Sequence, residues 1–252
     1  MNKIKQTLAV LTLLVLFAAC TETVQKPTLF LVGDSTMANK SDLNYPERGW
    51  GQLLPTFFDS SKIKIQNHAK NGRSTRSFIY ESRWDTVMSR MKAGDFVVIQ
   101  FGHNDDVITK SKTYTTHTEF RYNFSKYVKE TLAKGATPIL CTPIVRRNFI
   151  DSVLVETHGE YPDIIREVAS QFNVALVDLH LFSKELLTQL GEEDSKPIYL
   201  QIAPGAYDKY PDGKIDNTHF SEHGAITWSK IFTDDLNKQQ LSLAAYLAPS
   251  NN

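Results

Sequence analysis

Five short runs dense in Val, Ile and Leu recur along the chain, each separated from the next by a stretch of helical character. They cover residues 28–33, 62–66, 96–101, 137–142 and 174–179. Runs this short, with little polar alternation, suit strands buried on both faces, as in parallel sheets. Helical patterns occupy residues 50–58, 77–91, 118–134 and 161–172, and a last one, 221–236, follows the fifth run. Strands joined through helices require right-handed crossovers, which lay helices on both faces of the sheet. The pattern predicts an α/β fold, a three-layer α/β/α arrangement with a parallel five-stranded sheet, in one domain over residues 28–252. Residues 145–159 and 190–214 break the rhythm. Both are long and polar, and are expected as loops beyond the carboxyl ends of the strands, where open sheets gather their sites.

The first twenty residues, MNKIKQTLAVLTLLVLFAAC, place two lysines before an apolar run from Leu8 to Phe17, then Ala-Ala-Cys. A basic start, a short apolar stretch and small residues before a cleavage point read as a secretory signal. The run is too short to span a bilayer comfortably. Cys20 stands where bacterial lipoproteins carry their lipidated cysteine, although Phe17 departs from the usual smaller aliphatic residue, which leaves ordinary cleavage as the alternative. The expectation is an exported protein held to a membrane through a lipid on Cys20, with residues 21–27 as a tether, or otherwise a periplasmic or secreted one. The 28 basic and 28 acidic side chains balance. That balance supplies neither a general pull toward nucleic acid nor a basic belt for anionic lipid. Cys141 lies in the apolar run TPILCTP and is expected as a small buried hydrophobe. Two cysteines are too few for a cysteine-based metal site.

Chemistry is first suggested at Gly33-Asp34-Ser35, where the first apolar run gives way to polar residues. A serine hydroxyl needs a general base within hydrogen-bond reach, a group that orients the base, and donors for a developing oxyanion. Gly72, after the second run, lets a backbone amide approach a ligand with no side chain in the way. Ser74 nearby is a rival nucleophile, better explained as a helix start. Asn104, in QFGHNDD after the third run, carries an amide able to donate to an oxyanion. His103 adjoins it, but neighbouring side chains diverge in most turns. Asp105 and Asp106 lack the further spaced ligands that a hard cation requires. Late in the chain, KIDNTHFSEHGA sets Asp216 three residues before His219. In a turn or a first helical turn this spacing brings carboxylate and imidazole to one face, so that the second ring nitrogen is free to face Ser35. His219 and His223 have the spacing of a zinc pair, but Phe220 stands where H-E-x-x-H carries its glutamate.

Together, Gly33-Asp34-Ser35, Gly72, Gly102-His103-Asn104-Asp105 and Asp216-x-x-His219 resemble the blocks of the SGNH (GDSL-type) hydrolases, in the family's order. Within it, GDSTMA, RGWGQLL, NGRSTRSF, Arg83-Trp84, QFGHNDD and DNTHFSEHGA resemble the rhamnogalacturonan acetylesterases. The resemblance implies a flavodoxin-like fold, no metal or other cofactor, and ester hydrolysis through an acyl-enzyme. It implies Ser35 as nucleophile, His219 as base and acid, and Asp216 as the group orienting His219. The oxyanion hole would combine the amides of Ser35 and Gly72 with the side chain of Asn104. The implied partner is an acetylated polysaccharide, whose galacturonate carboxylates Arg73, Arg76 and Arg83 could meet; arginines near helix ends can equally be structural. A lipase or thioesterase on the same site, and a polysaccharide-binding lipoprotein without catalysis, are the alternative readings.

Overall fold

The computed structural model describes residues 25–249. The expected signal and Cys20 lie outside the described residues. Five parallel strands form the central sheet: β1 (Thr28–Gly33), β3 (Lys64–Asn67), β4 (Phe96–Gln100), β5 (Thr137–Cys141) and β8 (Ala175–Val177), in the order β3-β1-β4-β5-β8. The α/β class and the parallel five-stranded sheet expected from the sequence are what the chain forms. Within β1, side chains alternate across the sheet because strand residues point to opposite faces in turn. Leu29 and Leu31 enter one core with Val98, Ile139, Trp50, Trp228 and Phe232. Phe30 and Val32 enter the other with Val97, Ile99, Trp84, Phe124 and Tyr127. Cys141 is fully buried in the first core.

The helices follow the same two faces. They are α1 (Trp50–Leu53), α2 (Thr75–Tyr80), α3 (Arg83–Arg90), α4 (His117–Ala133), α5 (Tyr161–Phe172), α6 (Leu179–Asp194) and α7 (Glu222–Lys238). Three expectations need correction. The helix expected over 77–91 is two helices, because Ser82 adopts a left-handed conformation (φ 52°) and breaks the ladder between α2 and α3. The helical run from Trp50 tightens into a 3₁₀ turn at Leu54, with Pro55 near its start. The last parallel strand stops at Val177, because Asp178 caps α6 by accepting from the backbone of Leu181.

The two segments expected as loops are also structured. A small hairpin, β6 (Phe149–Ile150) and β7 (Val153–Leu154), lies within residues 145–159. Residues 190–214 contain the end of α6, a 3₁₀ turn and β9 (Tyr199–Ile202). That strand pairs antiparallel with β10 (Lys214–Ser221), whose other edge pairs with the short β2 (Glu47–Arg48). A second, three-stranded sheet in the order β2-β10-β9 therefore stands beside the parallel one. Among the described residues no helix is long and apolar enough to cross a membrane.

Candidate active site

The carboxyl edge of the parallel sheet presents Ser35, two residues beyond the end of β1. A Cβ on Gly33 would stand 2.7 Å from the Gln100 carbonyl oxygen, so only glycine lets β1 leave so close to β4. The turn is then pinned from below. Asp34 Oδ1 accepts from the backbone N–H (2.9 Å) and the hydroxyl (2.8 Å) of Thr36. Asp34 Oδ2 lies 3.1 Å from His103 Nδ1, and His103 Nε2 lies 3.0 Å from the Ile144 carbonyl oxygen. Both ring nitrogens thus face acceptors, which ties the turn after β1 to the loop after β5. Burial alone would push the Asp34 carboxyl up. The charge and hydrogen bond of His103, with the Thr36 donors, outweigh it and hold the group below the usual carboxylate range.

Gly72 and Asn104 close in on the same edge. Gly72 has φ +73°, a left-handed conformation that favours glycine, with nothing within 4 Å of where a Cβ would stand. Asn104 Nδ2 donates to the Arg73 carbonyl (3.0 Å), joining the loop after β4 to the loop after β3. Asp105 reinforces that join: its Oδ1 accepts from the Thr75 backbone N–H (3.0 Å), the Thr75 hydroxyl (2.5 Å) and the Thr115 hydroxyl (3.1 Å). Its Oδ2 is buried without a hydrogen-bond partner. Burial pushes this carboxyl up to about 8, against the lowering effect of its threonine donors. Among the described residues, neither the Ser35 nor the Gly72 backbone N–H donates to another group of the chain. Ser74 caps α2, its hydroxyl accepting from the Ser77 backbone, so the rival nucleophile is a helix start.

His219 and Asp216 reach Ser35 from the second sheet. His219 Nε2 lies 2.9 Å from Ser35 Oγ, and His219 Nδ1 lies 2.8 Å from Asp216 Oδ2. These residues are on β10, where the pairing register with β9 shifts between Asp216 and Phe220. The spacing of three was expected in a turn or a first helical turn; here an irregular strand brings both side chains to one side. Asp216 Oδ1 accepts from the backbone N–H groups of Thr218 and His219, both at 2.9 Å, which curls the strand back on the carboxylate. Burial would raise the Asp216 carboxyl, but the hydrogen bond and charge of His219, with those two N–H groups, hold it well below the carboxylate range. Lys214 Nζ adds a cation 3.3 Å from Oδ2.

Arg147 supports this irregularity from the side. Its backbone N–H donates to the Asn217 carbonyl (2.8 Å), and its guanidinium reaches Asn217 Oδ1 (3.3 Å), Ser195 Oγ (3.1 Å) and the Glu192 carbonyl. That last carbonyl is exposed to it because Gly191, with non-helical dihedrals, kinks α6.

The model of the GDSL-like lipase/acylhydrolase family matches residues 31–225, from within β1 to within α7. The chain belongs to that family. The chain is 37% identical to the rhamnogalacturonan acetylesterase RhgT of Bacillus subtilis (strain 168) over 226 residues, 89% of this chain and 96% of the relative. It is 38% identical to the rhamnogalacturonan acetylesterase of Emericella nidulans over 192 residues, 68% of this chain and 75% of the relative. The crystal structure of Bacillus subtilis YxiM superposes with a TM-score of 0.74 at 27% identity, covering 87% of this chain and 58% of that one. The acetylxylan esterase Axe2 of Geobacillus stearothermophilus shares the fold, with a TM-score of 0.60 at 20% identity over 83% of this chain and 94% of that one. As a member of this family, the protein is an ester hydrolase.

In this GDSL-family esterase the three arginines read as candidate substrate contacts are each bound by a carboxylate of the chain itself. Arg73 Nε lies 3.1 and 3.0 Å from the two oxygens of Glu81, and Arg83 Nε is 2.6 Å from one of them. Arg76 makes a two-pronged pair with Glu119. Sequence reasoning passed over Arg147, the His103–Asp34 pair and the join made by Asp105. Arg147 lay in a segment expected as a loop, and partners 69 residues apart, such as Asp34 and His103, leave no local pattern.

Proposed function

We propose that the protein is a carbohydrate acetylesterase that removes acetyl groups from acetylated rhamnogalacturonan, using Ser35, His219 and Asp216 as its catalytic triad. The observation that carries this reading is the unbroken chain from Asp216 Oδ2 through His219 to Ser35 Oγ, at 2.8 and 2.9 Å. The likeness to two rhamnogalacturonan acetylesterases, over 89% and 68% of the chain, supports the choice of substrate.

His219 Nε2 removes the Ser35 proton as Oγ attacks the acetyl carbonyl carbon. Asp216 keeps the ring oriented, with its Nδ1 proton toward Oδ2, and stabilises the imidazolium that forms. The carbonyl oxygen, now carrying the negative charge, is met by the free N–H groups of Ser35 and Gly72 and by the Asn104 amide. Such donors act strongly where water is excluded, and they need no reorganisation during the reaction. Collapse of the tetrahedral intermediate breaks the bond to the sugar oxygen, which leaves with the proton from His219. Water, deprotonated by the same nitrogen, then cleaves the acyl-enzyme to acetate and restores Ser35.

The test is acetate release from acetylated rhamnogalacturonan, acetylated homogalacturonan and acetylated xylan, with 4-nitrophenyl acetate as a small ester. Turnover of rhamnogalacturonan should be the fastest, and Ser35→Ala should lower it by about 10⁵–10⁶-fold. Equal or faster release from xylan would reject the polymer assigned. A Ser35→Ala variant that keeps its activity would reject the mechanism.

A further inference from the structure

Next to the Asp34–His103 pair, three ligand-bearing side chains meet that ester hydrolysis does not use. Glu156 and His158 belong to the segment between β7 and α5, and His180 to the first turn of α6. One ligand atom from each, a carboxylate oxygen and two ring nitrogens, lies within 4.8 Å of the other two. His180 Nε2 is 2.9 Å from Glu156 Oε2, yet out of line for a hydrogen bond, and is buried without a hydrogen-bond partner. His158 Nε2, on a residue 1% exposed, is likewise unpartnered. A buried ring nitrogen left without a partner, beside a second that faces only a carboxylate oxygen, is unusual, because buried polar atoms almost always find a partner.

The surroundings hold these groups in place. Glu156 Oε1 is occupied by the backbone N–H groups of Thr157 (2.8 Å) and His158 (2.6 Å), which leaves Oε2 as the free ligand atom. The His180 backbone N–H donates to Thr142 Oγ1 (2.8 Å), fixing the start of α6 on the end of β5. The His158 ring stands edge-on to His103 at 4.7 Å and to His180 at 6.0 Å between centroids, so it cannot turn freely. The cation nearby, Arg146, is neutralised by Asp106 through bonds of 2.8 and 3.2 Å.

We propose that Glu156, His158 and His180 form a binding site, outside the catalytic centre, for a divalent transition-metal ion of the zinc type. Two imidazoles and one carboxylate are a zinc-like donor set, whereas calcium and magnesium want oxygen shells that this cluster lacks. Zinc bonds of about 2.0–2.2 Å put tetrahedral ligand atoms roughly 3.4 Å apart, so a pair up to 4.8 Å apart must close by as much as about 1.4 Å. Glu156 is the exposed member, with a side chain 41% accessible, and marks the entry side, where solvent would complete the coordination. A bound ion would clamp the segment that carries Arg147 to the start of α6. Its effect would therefore fall on stability rather than on the chemistry at Ser35.

The experiment strips the full chain with a chelator and titrates it with Zn²⁺ by calorimetry, then with Co²⁺ by visible absorption. One equivalent of Zn²⁺ should bind with a Kd below about 1 µM. Co²⁺ should give the visible bands of a nitrogen- and oxygen-ligated ion. Glu156→Gln and His180→Gln should each weaken binding by about 100-fold or more and abolish the Co²⁺ bands, with unchanged circular dichroism. Glu156 is partly exposed, so its variant stays informative even if replacing a histidine disturbs folding. No stoichiometric binding by the folded chain would overturn the site, and so would binding that both variants retain. In those cases Glu156 and His180 form an ion pair only.

Discussion

The candidate active site is built from two halves that the fold treats differently. Ser35, Gly72 and Asn104 stand on the ends of parallel strands, above a floor of buried polar groups: Asp34 with His103, and Asp105 with Thr75. Asp216 and His219 come from an irregular strand of a separate antiparallel sheet, held at Asn217 by Arg147. Ser35 and Asn104 are buried, whereas His219 is half-buried. On the proposed assignment the nucleophile and the Asn104 amide thus sit in the drier half, while Gly72 stands exposed at its rim. On the same assignment the base sits where an imidazole can exchange protons with a leaving group and with water. An oxyanion hole gains from immobility; a proton shuttle needs access.

The halves should fail differently when damaged. The largest effect is expected in the base half. Asp216→Asn should keep the fold but lower kcat by about 10⁴-fold, since an amide no longer selects the productive tautomer of His219. A loss below tenfold on 4-nitrophenyl acetate would mean that Asp216 only shapes the strand. In the other half, Asn104→Ala should lower kcat by about 10²–10³-fold with little change in KM, as expected of a donor that acts mainly in the transition state. A rise in KM with kcat unchanged would make Asn104 a ground-state contact.

The smallest effect concerns the floor. The Asp105 carboxyl titrates near 8 in the folded chain against 3.8 in an ordinary one, so the folded state holds this proton more tightly. The associated stability is fully present below about pH 4 and is lost as pH rises through about 8. Asp105→Asn keeps a neutral acceptor for Thr75 and should flatten the fall in Tm between pH 5 and 9. Parallel curves for the two proteins would show that Asp105 is not the group responsible.

The same contrast governs how much could be read from the sequence. Strands buried on both faces announce themselves, and all five parallel strands stand within a few residues of where the apolar runs put them. β9 and β10 did not, because YLQI and KIDNTHFS mix polar with apolar residues as half-exposed antiparallel strands do. The start of α6 was hidden because Leu179 continues the apolar run of β8, and only the cap at Asp178 separates them. Residues at the ends of apolar runs could be found locally, and Asp216 and His219 through their spacing. Arg147 could not: its role depends on β10 passing beside it, which no local pattern records.

β2, only twelve residues after Ser35, pairs with the end of β10, through Arg48 with Phe220 and Glu47 with Ser221. Ser35 and the histidine it touches are 184 positions apart in the chain. A ribosome working from the amino terminus therefore makes Ser35 long before it makes His219. On the proposed assignment, a fragment ending anywhere between residues 104 and 219 carries all three oxyanion donors and an inert serine. Activity would switch on only once β10 has been made and docks along β2, so each copy that ends before His219 is silent by construction.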